Sequence, residues 1–116
     1  MLTVNMELAI MELKGIASHA THLADQWERG FDYTTDLVND INKRLIKACE
    51  HIEGAFNDTR NGIIAIELDF IEERISKVYN GIYMNDRVTS VGLLHLAQAC
   101  YQTCMTITRY AMEVRA

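Results

Sequence analysis

Apolar side chains return along this chain in steps of four and three. From Thr3 to Trp27 they fall at Met6, Ile10, Leu13, Ala17, Ala20, Ala24 and Trp27, widened by Ile16 and Leu23. Steps of that kind keep one stripe of a 3.6-residue helix facing a partner. Thr3 offers a hydroxyl to an orphan amide at the helix start. Gly30 is the expected stop, because glycine takes the left-handed conformation freely. Gly15 lies inside the stretch and costs about 1 kcal/mol against alanine, which the apolar stripe absorbs.

Three further stretches follow the same rule. The second, Thr34 to Thr59, carries Leu37, Ile41, Leu45, Ala48, Ile52 and Ala55, flanked by Val38, Cys49 and Phe56. The third, Ile63 to Tyr79, carries Ile64, Leu68, Ile71, Ile75 and Val78, with Ile82 in phase beyond it. Residues 62–70 also have strand propensity, but the longer series predicts helix. Its outer side is expected to carry Glu67, Glu72, Glu73, Arg74 and Lys77, with Glu73 and Lys77 spaced for an i,i+4 ion pair. The fourth, from a cap at Ser90 to Val114, carries Leu93, Ala97, Cys100, Cys104, Ile107, Ala111 and Val114. Leu94, Leu96, Tyr101, Met105 and Met112 give this last helix a second apolar flank. It is therefore expected either at the centre of the fold or against another subunit.

The breaks between the stretches carry turn chemistry. Asn61-Gly62 separates the second from the third, and Asn80-Gly81 is the expected stop of the third. The chain has no proline, which suits long helices joined by short connections. Four amphipathic helices on short links predict an all-α, up-down-up-down four-helix bundle with antiparallel neighbours, one domain over residues 1–116. At 116 residues such a chain folds to roughly 6,400 Å² of accessible surface, enough burial for one core without disulfides.

Charge narrows the functional classes. The net charge is -5. Residues 1–40 hold seven acids, among them Glu28, Asp32, Asp36 and Asp40, against two bases, Lys14 and Arg29. That balance argues against direct binding of a nucleic-acid backbone or an anionic membrane. It admits an acidic inhibitor that mimics nucleic acid. The chain start lacks a basic stretch followed by an apolar run, so no secretory leader is expected. No run of apolar residues is long enough to span a bilayer. The three cysteines, Cys49, Cys100 and Cys104, fall on or beside the apolar stripes. Reduced and mostly buried thiols are expected, consistent with a cytoplasmic protein.

Candidate chemistry is sparse. His19 and His22 share a helix face, but a metal would need ligands from other helices. The positions three before each histidine hold Ile16, His19, Ala48 and Gly92, none of them glutamate, which excludes the Glu-x-x-His pairs of di-iron bundles. Arg44 and His51 lie seven apart on one face, roughly 10 Å along the axis. Their spacing loosely resembles the arginine and histidine of helical ribonucleases of the HEPN type. That resemblance implies a dimeric active site in which the two residues act on a phosphodiester. Leu45 departs from the polar residue that follows the arginine in that pattern. The plainer reading has Lys43, Arg44 and Lys47 as a solvated face, pairing with Glu50 and the acidic first helix. No CxxC motif activates a thiol. The reading points away from an enzyme, a metal or a cofactor.

Large apolar side chains at the helix corners point elsewhere. Phe31 and Tyr33 flank the first connection, and Ile82, Tyr83 and Met84 occupy the third. In an up-down bundle both connections lie at the same end. Aromatic and methionine side chains make good contact centres, so these five are the candidate partner-binding residues. The expected function is a small protein-interaction module, a homodimer that regulates or inhibits a larger protein partner.

Overall fold

The computed structural model describes residues 3–29, 34–56, 62–83 and 89–113, with no side chains described at 34–38, 55–56, 79, 81–83, 89 and 112–113. The apolar stripes become four helices: α1 (Val4–Glu28), α2 (Thr34–Phe56), α3 (Gly62–Tyr83) and α4 (Thr89–Glu113). Helix α1 packs against both α2 and α4, and α3 packs against α4 and, along the slightest of the four seams, against α2. Neighbours in sequence are thus neighbours in space, and the fold is the expected antiparallel four-helix bundle. It is a rod of 49 × 19 × 19 Å. A rod exposes more surface than a sphere, and the 7314 Å² of accessible surface exceeds the roughly 6,400 Å² expected of an average folded chain this long.

The stripes face inward as their spacing requires. Leu13, Ile16 and Leu23 of α1, Ile41 of α2, Ile64 and Ile71 of α3, and Leu93, Leu96 and Ile107 of α4 are fully buried. Ile10, Leu68 and Cys49 lie at the edge of this core, half-buried. Leu37, Val38, Ala55, Phe56, Ile82 and Val114 belong to the expected stripes but lie outside the described side chains. Residues 62–70 are helical throughout. The i→i+4 bonds of a helix let Ile64, Leu68 and Ile71 share the core, whereas a strand would turn every second one outward.

The helix ends differ from expectation in two places. Thr3 caps α1 as foreseen: its Oγ1 accepts from the Met6 amide at 3.1 Å. Arg29 follows Glu28 in right-handed helical geometry, its amide bonding back to the Asp25 and Gln26 carbonyls. Gly30, the expected stop, lies outside the described residues. Asn80-Gly81 does not end α3, which runs on to Tyr83. A glycine inside a helix costs only about 1 kcal/mol, and Val78 packed in the core holds that last turn in place. Ser90 lies within the first turn of α4 rather than ahead of it, and its hydroxyl donates to Glu28 Oε1. That bond joins the last residue of α1 to the start of α4. The ends of α1 and α3 and the starts of α2 and α4 therefore gather at one end of the rod.

Among the described residues no helix is long and apolar enough to cross a membrane.

Candidate functional site

Two flanks of the bundle carry side chains that the core does not explain. The first lies between α1 and α2. Gly15 leaves α1 bare at one point, and a Cβ built there would sit 2.7 Å from Arg44 Nη1. The missing side chain lets the guanidinium of α2 lie directly on the α1 backbone. From there Arg44 Nη1 reaches Glu12 Oε2 at 3.4 Å and its Nε reaches Asp40 Oδ2 at 3.4 Å. His19 Nδ1 lies 3.1 Å from the same Asp40 oxygen. That contact is close but not aligned as a hydrogen bond, and the nitrogen is shut off from solvent. A similar fit recurs at Gly54, where Asn5 of α1 comes within 2.8 Å of where a Cβ would stand.

This cluster settles where several sequence candidates go. Arg44 pairs with the acidic first helix, as the plainer reading expected, while Lys43 and Lys47 stay exposed. Its guanidinium is occupied twice inside the bundle. His51 is half-buried, seven residues along α2. His19 turns to Asp40 of α2, and His22 is exposed. Among the described residues no three His, Cys, Asp or Glu side chains converge as metal ligands would. Of the acidic candidates, Glu28 engages Ser90 and Asp40 engages Arg44 and His19. Asp32 and the side chain of Asp36 lie outside the described residues.

The thiols are free. Burial pushes Cys100 up to about 12, and the neighbouring Cys104 adds to it. Burial likewise raises Cys104 to about 11, against a lowering pull from Lys14. Its Sγ donates to the Ile10 carbonyl at 3.7 Å. The Cys49 thiol is raised by burial and then by Glu72, Glu53, Asp69 and Glu50. All three shifts favour the thiol over the nucleophilic thiolate.

The second flank is the outer face of α3 and α4. Here a furrow runs between the two helices as two adjoining hollows of about 380 and 790 Å³ that share Glu67, Gln98 and Gln102 in their lining. Its walls are apolar. Ile63, Ile66 and Phe70 rise on the α3 side, Tyr101 and Met105 on the α4 side, and all five are exposed. Arg74 belongs to one hollow and Arg109 to the other. Arg74 lies over the Phe70 ring, 4.7 Å from its centre, which holds the ring by a cation–π contact. Glu67, expected on the solvated side of α3, is half-buried instead. Thr106 Oγ1 donates to its Oε1 at 2.9 Å, and its Oε2 is enclosed without a hydrogen-bond partner. Glu73 and Lys77 pair at 3.2 Å farther along α3, as their spacing predicts.

The second apolar flank of α4 divides. Leu96 is buried, while Leu94, Tyr101 and Met105 remain open; the Met112 side chain lies outside the described residues. Ile63 and Ile66 carried no functional weight in the sequence. The signal that marks them is their phase: with Phe70 they form an i, i+3, i+7 series offset from the core stripe. Of the five corner residues, Phe31, Tyr33 and Met84 lie outside the described residues. Ile82 and Tyr83 lie in the last turn of α3, without described side chains.

Comparison with protein-family models, curated proteins and solved structures found no match to this chain.

Proposed function

We propose that this bundle is a protein-interaction module, a homodimer that regulates or inhibits a larger protein partner in the cytoplasm. The observation that carries the reading is the apolar outer face of α3 and α4, where five large side chains stand open beside a furrow. Contiguous exposed apolar surface of this kind marks interaction sites on soluble proteins. The gathering of the α1 and α3 ends at one pole supports a second contact region built from Phe31, Tyr33, Ile82, Tyr83 and Met84. Free, unactivated thiols suit a reducing compartment.

Two alternatives, an acidic nucleic-acid mimic and a HEPN-like ribonuclease using Arg44 and His51, are less well supported. Glu28, Asp40 and Arg44 are each engaged within the bundle. Capture on the full chain, compared with a Tyr33→Ser/Tyr83→Ser variant, tests the reading. A protein enriched by the wild type and lost from the variant is expected. Equal recovery on both overturns the pole as the contact. A captured protein whose own activity does not change under saturating chain overturns the regulatory role.

A further inference from the structure

We infer that the α3–α4 face is where the homodimer forms, and that its occupant is the same face of a second copy. This deepens the homodimer part of the reading above and rests on it. Area is the first argument. Ile63, Ile66, Phe70, Tyr101 and Met105 are between 44% and 70% exposed. Together they open roughly 600 Å², against ~800 Å² that each partner contributes to a standard interface. The five thus supply the apolar centre of one half of such an interface, with the furrow's polar lining around them.

Charge is the second. The chain is acidic overall, at -5, so most ways of bringing two copies together set negative surface against negative surface. The furrow is different: Arg74 and Arg109 stand against Glu67 as its charged lining, with His95 beside them. Two copies meet here without opposing their acidic surfaces.

The third argument is self-complementarity. A two-fold interface uses one patch twice, so the patch must supply both halves of every polar contact. Gln98 and Gln102 line both hollows, and an amide side chain both donates and accepts. Tyr101 carries a hydroxyl that does the same, and Arg74 and Arg109 can serve as donors to acceptors across the two-fold. Apolar walls on α3 and α4 meet their own copies as two helix pairs, forming a four-helix layer between protomers. The bundle itself has a use for such a layer. Helix α3 has only a slight seam with α2, so it leans on α4 and leaves its outer side open.

Analytical ultracentrifugation of the full chain over a micromolar series tests this, with far-ultraviolet circular dichroism to verify folding. Ile66 and Met105 are 70% and 57% exposed, so Ile66→Asp and Met105→Asp leave the core intact. Each is expected to raise the dimer dissociation constant by about thirtyfold or more, as for a central interface residue. Ile46→Asp on α2, also exposed, is expected to leave it unchanged. A wild-type dimer indifferent to Ile66→Asp and Met105→Asp, or split by Ile46→Asp, overturns the face while leaving the homodimer standing. A folded wild type that is monomeric throughout overturns both, and the face then belongs to a different protein.

Discussion

The α1–α2 flank and the α3–α4 flank are both antiparallel helix pairs, and their outer sides are finished in opposite ways. On α1–α2 charged side chains bridge the two helices. Gly15 lets Arg44 lie on the backbone, where it reaches Glu12 and Asp40, and His19 lies against Asp40. On α3–α4 the groove is left open, walled by Ile66, Phe70, Tyr101 and Met105, with a carboxylate oxygen of Glu67 shut beneath without a partner. The cation of the α1–α2 flank is paired on both sides, although His19 Nδ1 stays enclosed without a hydrogen bond. The other flank leaves apolar walls beside an unpartnered carboxylate oxygen, the surface to which the proposed second copy is assigned.

Beneath their surfaces the two flanks should be equal, and that is the largest effect to test. Leu13 under α1–α2 and Ile107 under α3–α4 are both fully buried. Leu13→Ala and Ile107→Ala should each lower unfolding free energy by about 2–5 kcal/mol in urea titrations. A markedly smaller loss at Ile107 would mean that the α3–α4 side is loosely packed throughout rather than open only at its surface.

Thiol chemistry reads the same contrast in rate. With its pKa near 12, Cys100 holds about a thousandth of the thiolate of an unshifted group near 9 at neutral pH. In the folded protein Cys49, half-buried, should label with iodoacetamide ahead of Cys104 and Cys100, followed by peptide mass spectrometry. The same shifts set a pH dependence. Cys100 and Cys104 are raised above their unfolded value of 9.0. Unfolded chains therefore release these protons first. Their contribution to stability is whole below pH 9 and falls as pH rises through about 11 to 12. Thermal melts across that window should show the decline, and Cys100→Ala/Cys104→Ala should flatten it.

A smaller effect, of opposite sign on the two flanks, separates them most sharply. Glu67→Leu removes an enclosed oxygen without a partner, and should stabilise the chain by about 1 kcal/mol. Arg44→Met removes ion pairs that are satisfied, and should destabilise it. Arg44 is 35% exposed, so solvent screening holds that loss to about 1 kcal/mol or less, shrinking further in high salt. A double-mutant cycle with Glu12 isolates the pair. Destabilisation by Glu67→Leu would show that the Thr106 hydrogen bond outweighs the enclosed oxygen, and the contrast would fail at that point.

Much of the fold was legible in advance because helical periodicity needs only local sequence. Met6, Leu13, Ile71 and Leu93 are placed by steps of three and four, and any partner helix buries them. The Thr3 cap and the Glu73–Lys77 pair were legible for the same reason, since each closes within one turn. The end of α3 was not: Asn80-Gly81 is turn chemistry, yet a single turn of helix costs little once Val78 anchors it in the core. The sites were harder still. Gly15 looked like a tolerated defect and Glu67 an outer-face carboxylate, and the pairing of Arg44 with the first helix was legible but not its seat on the Gly15 backbone.

By itself, then, the order of residues determined four helices, their inward faces and their antiparallel course, because each follows from contacts within a few residues and from short links. Only the assembled bundle decided that Arg44 fills the space Gly15 leaves, that His19 meets Asp40, and that Glu67 is half-buried against Thr106 of α4. Those outcomes depend on the rotation of each helix about its axis and its height along its neighbour. Both are set by how whole core surfaces interlock, which no single stretch of the chain contains.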